Sequence, residues 1–289
     1  MPSWIRALSV ALPLSAVAAL AAAAPAPPAS FVSYADEPPP APLPPASPIT
    51  DHLALNAGFF WGSVRTFGQI GPRGGTPPGT ALIAEDTLGV TNRAYQPQLE
   101  VMFRLEDRNR LRVDWLDLRR NGASVLGSGL QFGDQSYLVG QPIQSMLDWR
   151  QMDVTYTYSF LRRQRFELGA GIGLHFIEAE ARVQSPSSPQ TADYSEAGPF
   201  ATLAGDGTWL IDRHWSFNAR AQYMRLTLGS YRGELEDMHA DFQYRWKRNF
   251  ALGAGYDYTR RELDALHSDP SGELQLRITG PRLFLRVSY

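Results

Sequence analysis

The sequence predicts an all-β fold, a transmembrane antiparallel up-and-down β-barrel of about ten strands with a disordered N-terminal segment. Three observations predict it: apolar residues recur with period two from Asp51 onward, tight polar turns alternate with longer connections, and the last strand ends in an aromatic residue. Counts of eight or twelve strands stay open beside ten.

The chain has 289 residues, 44% of them hydrophobic. Beyond its first residues, no run reaches the roughly 18 consecutive apolar residues of a membrane helix. The mean hydropathy of −0.26 suits alternating strands. Twenty-seven basic against 29 acidic side chains give a net charge of −2, with no excess to neutralise phosphates, so a nucleic-acid partner is not expected. Cysteine is absent, which removes disulfides, thiolate metal sites, cysteine nucleophiles and a lipoprotein anchor.

Residues 1–23 read as a signal peptide. Arg6 supplies the positive start, Ala7 to Leu20 a short apolar stretch, and the run from Ala21 to Ala24 small-residue cleavage positions, with cutting after Ala23. An uncleaved anchor helix is the alternative. Residues 24–50 read as a proline-rich disordered linker, because the ten prolines between positions 25 and 48 remove ladder donors and leave little to bury. The barrel is assigned to residues 51–289.

In the first strand Leu53, Leu55, Ala57, Phe59 and Trp61 oppose His52, Asn56 and Gly58. The second sets Leu99, Val101, Phe103 and Leu105 against Gln98, Glu100 and Arg104, and the third Leu111, Val113 and Trp115 against Arg112 and Asp114. Strand four carries Met152 to Phe160 on its apolar face, and strand five Phe166 to Phe176. Strands seven, eight and nine carry Trp215 to Tyr223, Met238 to Trp246 and Phe250 to Tyr258, and the last ends Leu283, Leu285, Val287, Tyr289. Each face approaches the 9–11 residues of a tilted membrane strand.

Tight turns are expected at Asp107-Arg108-Asn109, Arg162-Arg163-Gln164, Asp212-Arg213-His214 and Lys247-Arg248-Asn249. Longer connections are expected near residues 66–94, 121–145, 183–196, 229–235 and 260–273. Four short turns with both termini on one rim make five hairpins, hence ten strands. The face opposite the apolar one carries Arg112, Asp114, His175, Arg220, His239, Asp241, Arg245, Asp257, Arg282 and Arg286. Mixed in sign, these are expected to form a paired polar network in the lumen. A soluble lipocalin-like barrel would place the apolar face inside instead. Trp61, Trp115, Phe160, Phe166, Trp209, Trp215, Trp246, Phe250 and Tyr289 are the expected membrane-interface aromatics.

The segments "LALNAGFFWGS", "LEVMFRLEDRNRLRVDWLDL", "YTYSFLRRQRFELGAGIGLHF" and "GPRLFLRVSY" resemble the small outer-membrane β-barrel proteins of proteobacteria, the broad OmpA/OmpW-like group. Eight strands dominate that group, so ten departs from it. The resemblance implies a bacterial outer-membrane location, with the linker and C-terminus periplasmic. It also implies contact with outer-membrane lipids and lipopolysaccharide, and recognition of the C-terminal strand by the barrel-assembly machinery.

Chemistry is sparse. His239 and Asp241 share an inward face, with Glu234, Glu236, Glu85 and Asp86 towards the long loops, and a carboxylate–histidine group can activate water. Three consecutive residues, His267-Ser268-Asp269, cannot converge as a triad. Gly169-Ala170-Gly171-Ile172-Gly173 lacks the helix a dinucleotide site needs, and the histidines show no metal spacing. No catalytic, cofactor-binding or metal-ligating residue is assigned. The expected function is a non-enzymatic barrel, structural or interaction-bearing, with a side-chain-plugged lumen. A narrow pore for small solutes and a surface hydrolase, omptin-like or lipid-modifying, are the alternatives.

Overall fold

The computed structural model describes residues 46–74, 79–228, 231–265 and 271–289. The expected signal peptide, the spacer to residue 45 and the His267-Ser268-Asp269 run lie outside the described residues.

Ten strands close a barrel: β1 (Leu53–Ile70), β2 (Arg93–Glu106), β3 (Asn109–Val125), β4 (Pro142–Arg162), β5 (Phe166–Gln184), β6 (Thr191–Leu210), β7 (Trp215–Leu228), β8 (Tyr231–Lys247), β9 (Phe250–Ala265) and β10 (Gly272–Ser288). Neighbours in sequence are neighbours in space, and β10 pairs back onto β1 from Ala54↔Ser288 to Ile70↔Gly272. All pairs are antiparallel, and closure removes the unpaired edges an open sheet would expose. The four tight turns fall where the polar tripeptides stand. In one, the Asp212 carboxylate accepts the N–H groups of His214 at 2.7 Å and Trp215 at 2.8 Å. Those bonds hold its pKa below the usual carboxylate value. Asp107, in the first turn, is lowered by the hydrogen bond and charge of Arg162, 3.0 Å away.

The strands are longer than the sequence pattern implies, from 14 residues in β2 to 21 in β4. At roughly 3.3 Å per residue and a tilt of about 40°, the longest reaches about 50 Å along the axis, against a hydrocarbon core of about 25–30 Å. The long connections are correspondingly shorter than expected. Residues 66–70, 121–125, 142–145, 191–196, 231–235 and 260–265 belong to strands.

The cause is an inversion of polarity along the strands. On β5 the outward residues from Phe166 to Phe176 are apolar, and the next ones are Glu178, Glu180, Arg182 and Gln184. Its buried residues change the other way, from Glu167 and His175 to Ile177, Ala179, Ala181 and Val183. Period two persists, but beyond residue 176 the faces exchange chemistry. A sequence reading that follows apolar residues on one face ends the strand there.

The last residues of the expected linker also differ. Ser47 to Thr50 form a turn, closed by Thr50 N–H to the Ser47 carbonyl at 2.9 Å, and Ile49 and Asp51 are buried. Its carbonyls meet the buried Arg104 and the half-buried Arg162 in the barrel mouth, which holds this stretch in place.

Inward glycines make room for bulky lumen side chains. A Cβ on Gly253 would lie 2.2 Å from the ring of Phe284, its cross-strand neighbour. Gly253→Val should therefore cost about 1–3 kcal/mol through overpacking. Chemical-denaturant unfolding checks this. Addition of Phe284→Ala should recover part of the loss, and no recovery would refute the steric cause.

Candidate functional site: the barrel interior

From the tight-turn rim to the long-loop rim, the interior is filled in layers. At the tight-turn mouth Asp51 enters just before β1, its Oδ2 accepting from Arg245 at 2.6 Å and Arg286 at 3.2 Å. Arg104 spans the mouth and donates two parallel bonds to Glu167, at 2.8 and 3.0 Å. Its other contacts are the carbonyls of Asp107 (3.0 Å), Asp51 (3.3 Å) and Pro48 (3.4 Å), while Arg162 donates to the Ile49 carbonyl at 3.0 Å. Ser159 donates to Glu167 at 2.6 Å and Arg110 stands 3.6 Å from it. The side chains of Arg104 and Glu167 are 0% exposed. A charge so far from water persists only with full pairing.

The middle layer is a second set of ion pairs. Glu100 lies between Arg112 at 3.1 Å and Arg220 at 2.9 Å, and Arg220 also faces Asp114 at 3.6 Å. Asp206 takes Arg110 at 2.9 Å. Arg282 joins Asp241 at 2.8 Å and Asp257 at 3.2 Å. His239 faces Asp257 at 2.9 Å, so the His239–Asp241 pairing weighed as a hydrolytic group does not form. Glu85 instead pairs with Arg120 at 2.7 Å and Asp86 with Arg65 at 3.4 Å, both beyond the middle layer. These carboxylates do not converge on a common point with a histidine.

His175 is fully buried, with Nδ1 2.6 Å from Asp153 and Nε2 2.9 Å from Gln222 Oε1 and 3.0 Å from Thr202 Oγ1. Asp153, His175 and Asp237 present ligand atoms within 4.8 Å of one another, a grouping not legible from the histidine spacing. Arg261 pairs with Asp237 at 2.7 Å, and Gln151 donates to both oxygens of Asp153. Protein groups thus already occupy both carboxylates. The gap among Glu100, Asp114, Gln151, Asp237 and His239 measures about 80 Å³, room for a few waters.

Above the ion pairs the interior turns apolar, with Phe60, Val64, Leu118, Trp149, Ile177, Leu235, Leu276 and Ile278 packed together. The long-loop end is then capped. Residues Leu82–Ile83 pair onto β1, a one-turn helix covers Ala84–Thr87, and Leu130–Phe132 pairs with Gln135–Tyr137. Leu82, Leu88, Leu130, Phe132 and Tyr137 form a second buried cluster with Ile143 and Val183, and the Tyr137 hydroxyl donates to the Val183 carbonyl at 2.8 Å.

All ten lumen residues expected from the sequence lie in these layers. Beside those ten stand Glu100 and Arg104, which alternation already sets on the inward face, and Asp51, Arg110, Asp153, Glu167, Asp206, Asp237 and Arg261, which were not expected as members. Asp153 and Glu167 alternate with assigned apolar residues, so a stricter use of period two would have found them. Asp206 sits on β6, a strand with no face assigned.

Outside, the first ten or so residues of each strand from the tight turns form an exposed apolar belt. Phe160, Phe166, Trp209, Trp215, Trp246, Phe250 and Tyr289 lie at its tight-turn edge, where Trp215 packs on Tyr244 at 5.0 Å and Trp246 on Phe250 at 6.3 Å. Trp61 and Trp115 lie at the opposite edge, followed outward by Ser63 and Asp117. Apolar surface outside and ion pairs inside make this a transmembrane barrel, not a lipocalin-like one.

No protein-family model matches the chain, and no curated protein sequence matches it. Among solved structures it is similar to the outer membrane protease OmpT from Escherichia coli, at 8% identity, covering 82% of this chain and 97% of that one with a TM-score of 0.47. It is also similar to Ail, the attachment invasion locus protein of Yersinia pestis, at 10% identity, 79% and 97% coverage and a TM-score of 0.30. A Pseudomonas aeruginosa FadL homologue matches at 8% identity, 83% and 90% coverage and a TM-score of 0.36.

Proposed function

We propose that this protein is a non-conducting, non-enzymatic barrel of the bacterial outer membrane that acts through the sheet and loops it displays beyond the bilayer. The tight turns, the N-terminal linker and the C-terminus face the periplasm in this reading, and the capped long-loop end faces outward. The strand ending at Tyr289 is what the assembly machinery engages, and outer-membrane lipids surround the belt. The carrying observation is that the interior is filled twice, by ion pairs within the belt and by an apolar core beyond it. A conduit needs a continuous polar path, and the apolar layer interrupts it. The extension of the strands past the belt gives a rigid, water-facing surface suited to a partner.

The test is electrical. Purified protein added to a planar bilayer at high load should give no single-channel steps, while heat-modifiable gel migration certifies that the sample is folded. Discrete steps from folded protein would overturn the sealed reading and favour a narrow pore. Lipid or peptide cleavage lost in His239→Ala would overturn the non-enzymatic one.

A further inference from the structure

The outward surface just beyond the belt is unevenly charged. Arg260 on β9 is the direct cross-strand neighbour of Arg277 on β10, and Arg277 of Arg65 on β1. Arg93 on β2 stands opposite Ser63, one step nearer the belt. Like charges placed directly opposite, with Cβ atoms about 4.5–5.5 Å apart, repel and weaken the sheet. Arg65 and Arg260 have carboxylates nearby, Asp86 at 3.4 Å and Glu262 at 2.9 Å, and Glu236 is the cross-strand neighbour of Arg260 on β8. Arg277 and Arg93 have no ion-pair partner among the described residues, and the Arg277 guanidinium lies over the Tyr258 ring at 5.3 Å.

The row beneath these arginines holds Tyr258, Thr279 and Ser63, and the row beneath that holds Tyr256, Pro281 and Trp61. The guanidinium groups therefore stand immediately above the aromatic edge, where a bilayer changes from acyl chain to headgroup. Elsewhere at the belt's edge the signs alternate: Asp117, Arg150 and Glu178 are successive cross-strand neighbours on β3, β4 and β5.

We propose that Arg93, Arg65, Arg277 and Arg260 form a binding face for a phosphorylated lipid of the outer leaflet, with its acyl chains lying on the belt below. Guanidinium forks match phosphate oxygens in pairs, and the bound anion removes the repulsion within the row. A lipid fits better than free phosphate because the row is continuous with the apolar belt. In the proposed orientation the lipid is the phosphorylated glucosamine anchor of lipopolysaccharide, so the inference rests on that orientation.

The folded barrel in detergent would be titrated with bisphosphorylated lipid A, with its dephosphorylated form and with inorganic phosphate, following the unfolding midpoint and bound mass by native mass spectrometry. The phosphorylated lipid should bind and raise the midpoint, and Arg65→Gln with Arg277→Gln should weaken it by about tenfold or more. Arg150→Gln, away from the row, should leave binding unchanged. Equal binding of the dephosphorylated lipid, equal stabilisation by inorganic phosphate, or no effect of the double variant would each overturn the proposal. Heat-modifiable migration of the same samples separates the two claims. A folded barrel without lipid discrimination rejects this face alone, and absence of heat-modifiable protein in every sample rejects the membrane barrel.

Discussion

Glu167→Ala should lower the stability of the folded barrel by about 3–5 kcal/mol, the cost of leaving a buried charge without its partner. Arg104 would lose both of its carboxylate bonds, at 2.8 and 3.0 Å, in a position with no exposure to solvent. Ser159 and Arg110 would lose an acceptor and a counter-charge in the same step. The contrast is Asp86→Ala, which removes a partner of Arg65 where both side chains are 64% exposed. That pair is worth less than about 1 kcal/mol. Urea unfolding of vesicle-inserted protein, followed by tryptophan fluorescence, compares the two directly. Replacing Arg104 by Met together with Glu167 by Leu should recover much of the loss, because no charge is then stranded. Losses of equal size at Glu167 and Asp86 would refute the role given to the mouth network.

The second large effect concerns where the belt ends. Ile172 and Glu178 share the outward face of β5, and the reversal of polarity falls between them. Ile172→Arg, near the middle of the belt, should cost about 2–4 kcal/mol, the penalty for arginine at the bilayer midplane of a barrel. Glu178→Arg, beyond Phe176, loses its pairing with Arg150 and faces it as a like charge, so it should cost up to about 1 kcal/mol, well below the belt penalty. The measurement is the unfolding free energy of each variant in vesicles, with folding confirmed by heat-modifiable migration. Equal penalties at the two positions would mean that the belt does not stop at Phe176.

Local chemistry made much of the fold legible. Asp107-Arg108, Asp212-Arg213 and Lys247-Arg248 mark turns because charged, turn-forming residues interrupt runs such as Phe217 to Tyr223. Alternation in a strand is equally local, so Arg220, His239 and Asp257 could be assigned to the lumen without knowledge of their partners. Strand length was less legible: in Glu178-Ala179-Glu180-Ala181-Arg182-Val183 the period survives while the apolar residues move to the inner face.

Neighbours two or three positions apart thus sufficed to mark an up-and-down barrel of about ten strands and the inward residues of its membrane half, while the pairing of β10 onto β1 closes the count at ten. Which charges meet depends on how the strands come together. Asp51 and Arg286 are separated by 235 positions and come within 3.2 Å because β10 closes onto β1. His239 faces Asp257 and not Asp241, because residues two apart on one strand share a face while cross-strand neighbours approach more closely. The apolar interior beyond the belt, and the arginine row outside it, likewise depend on register between strands, which alternation within one strand does not encode.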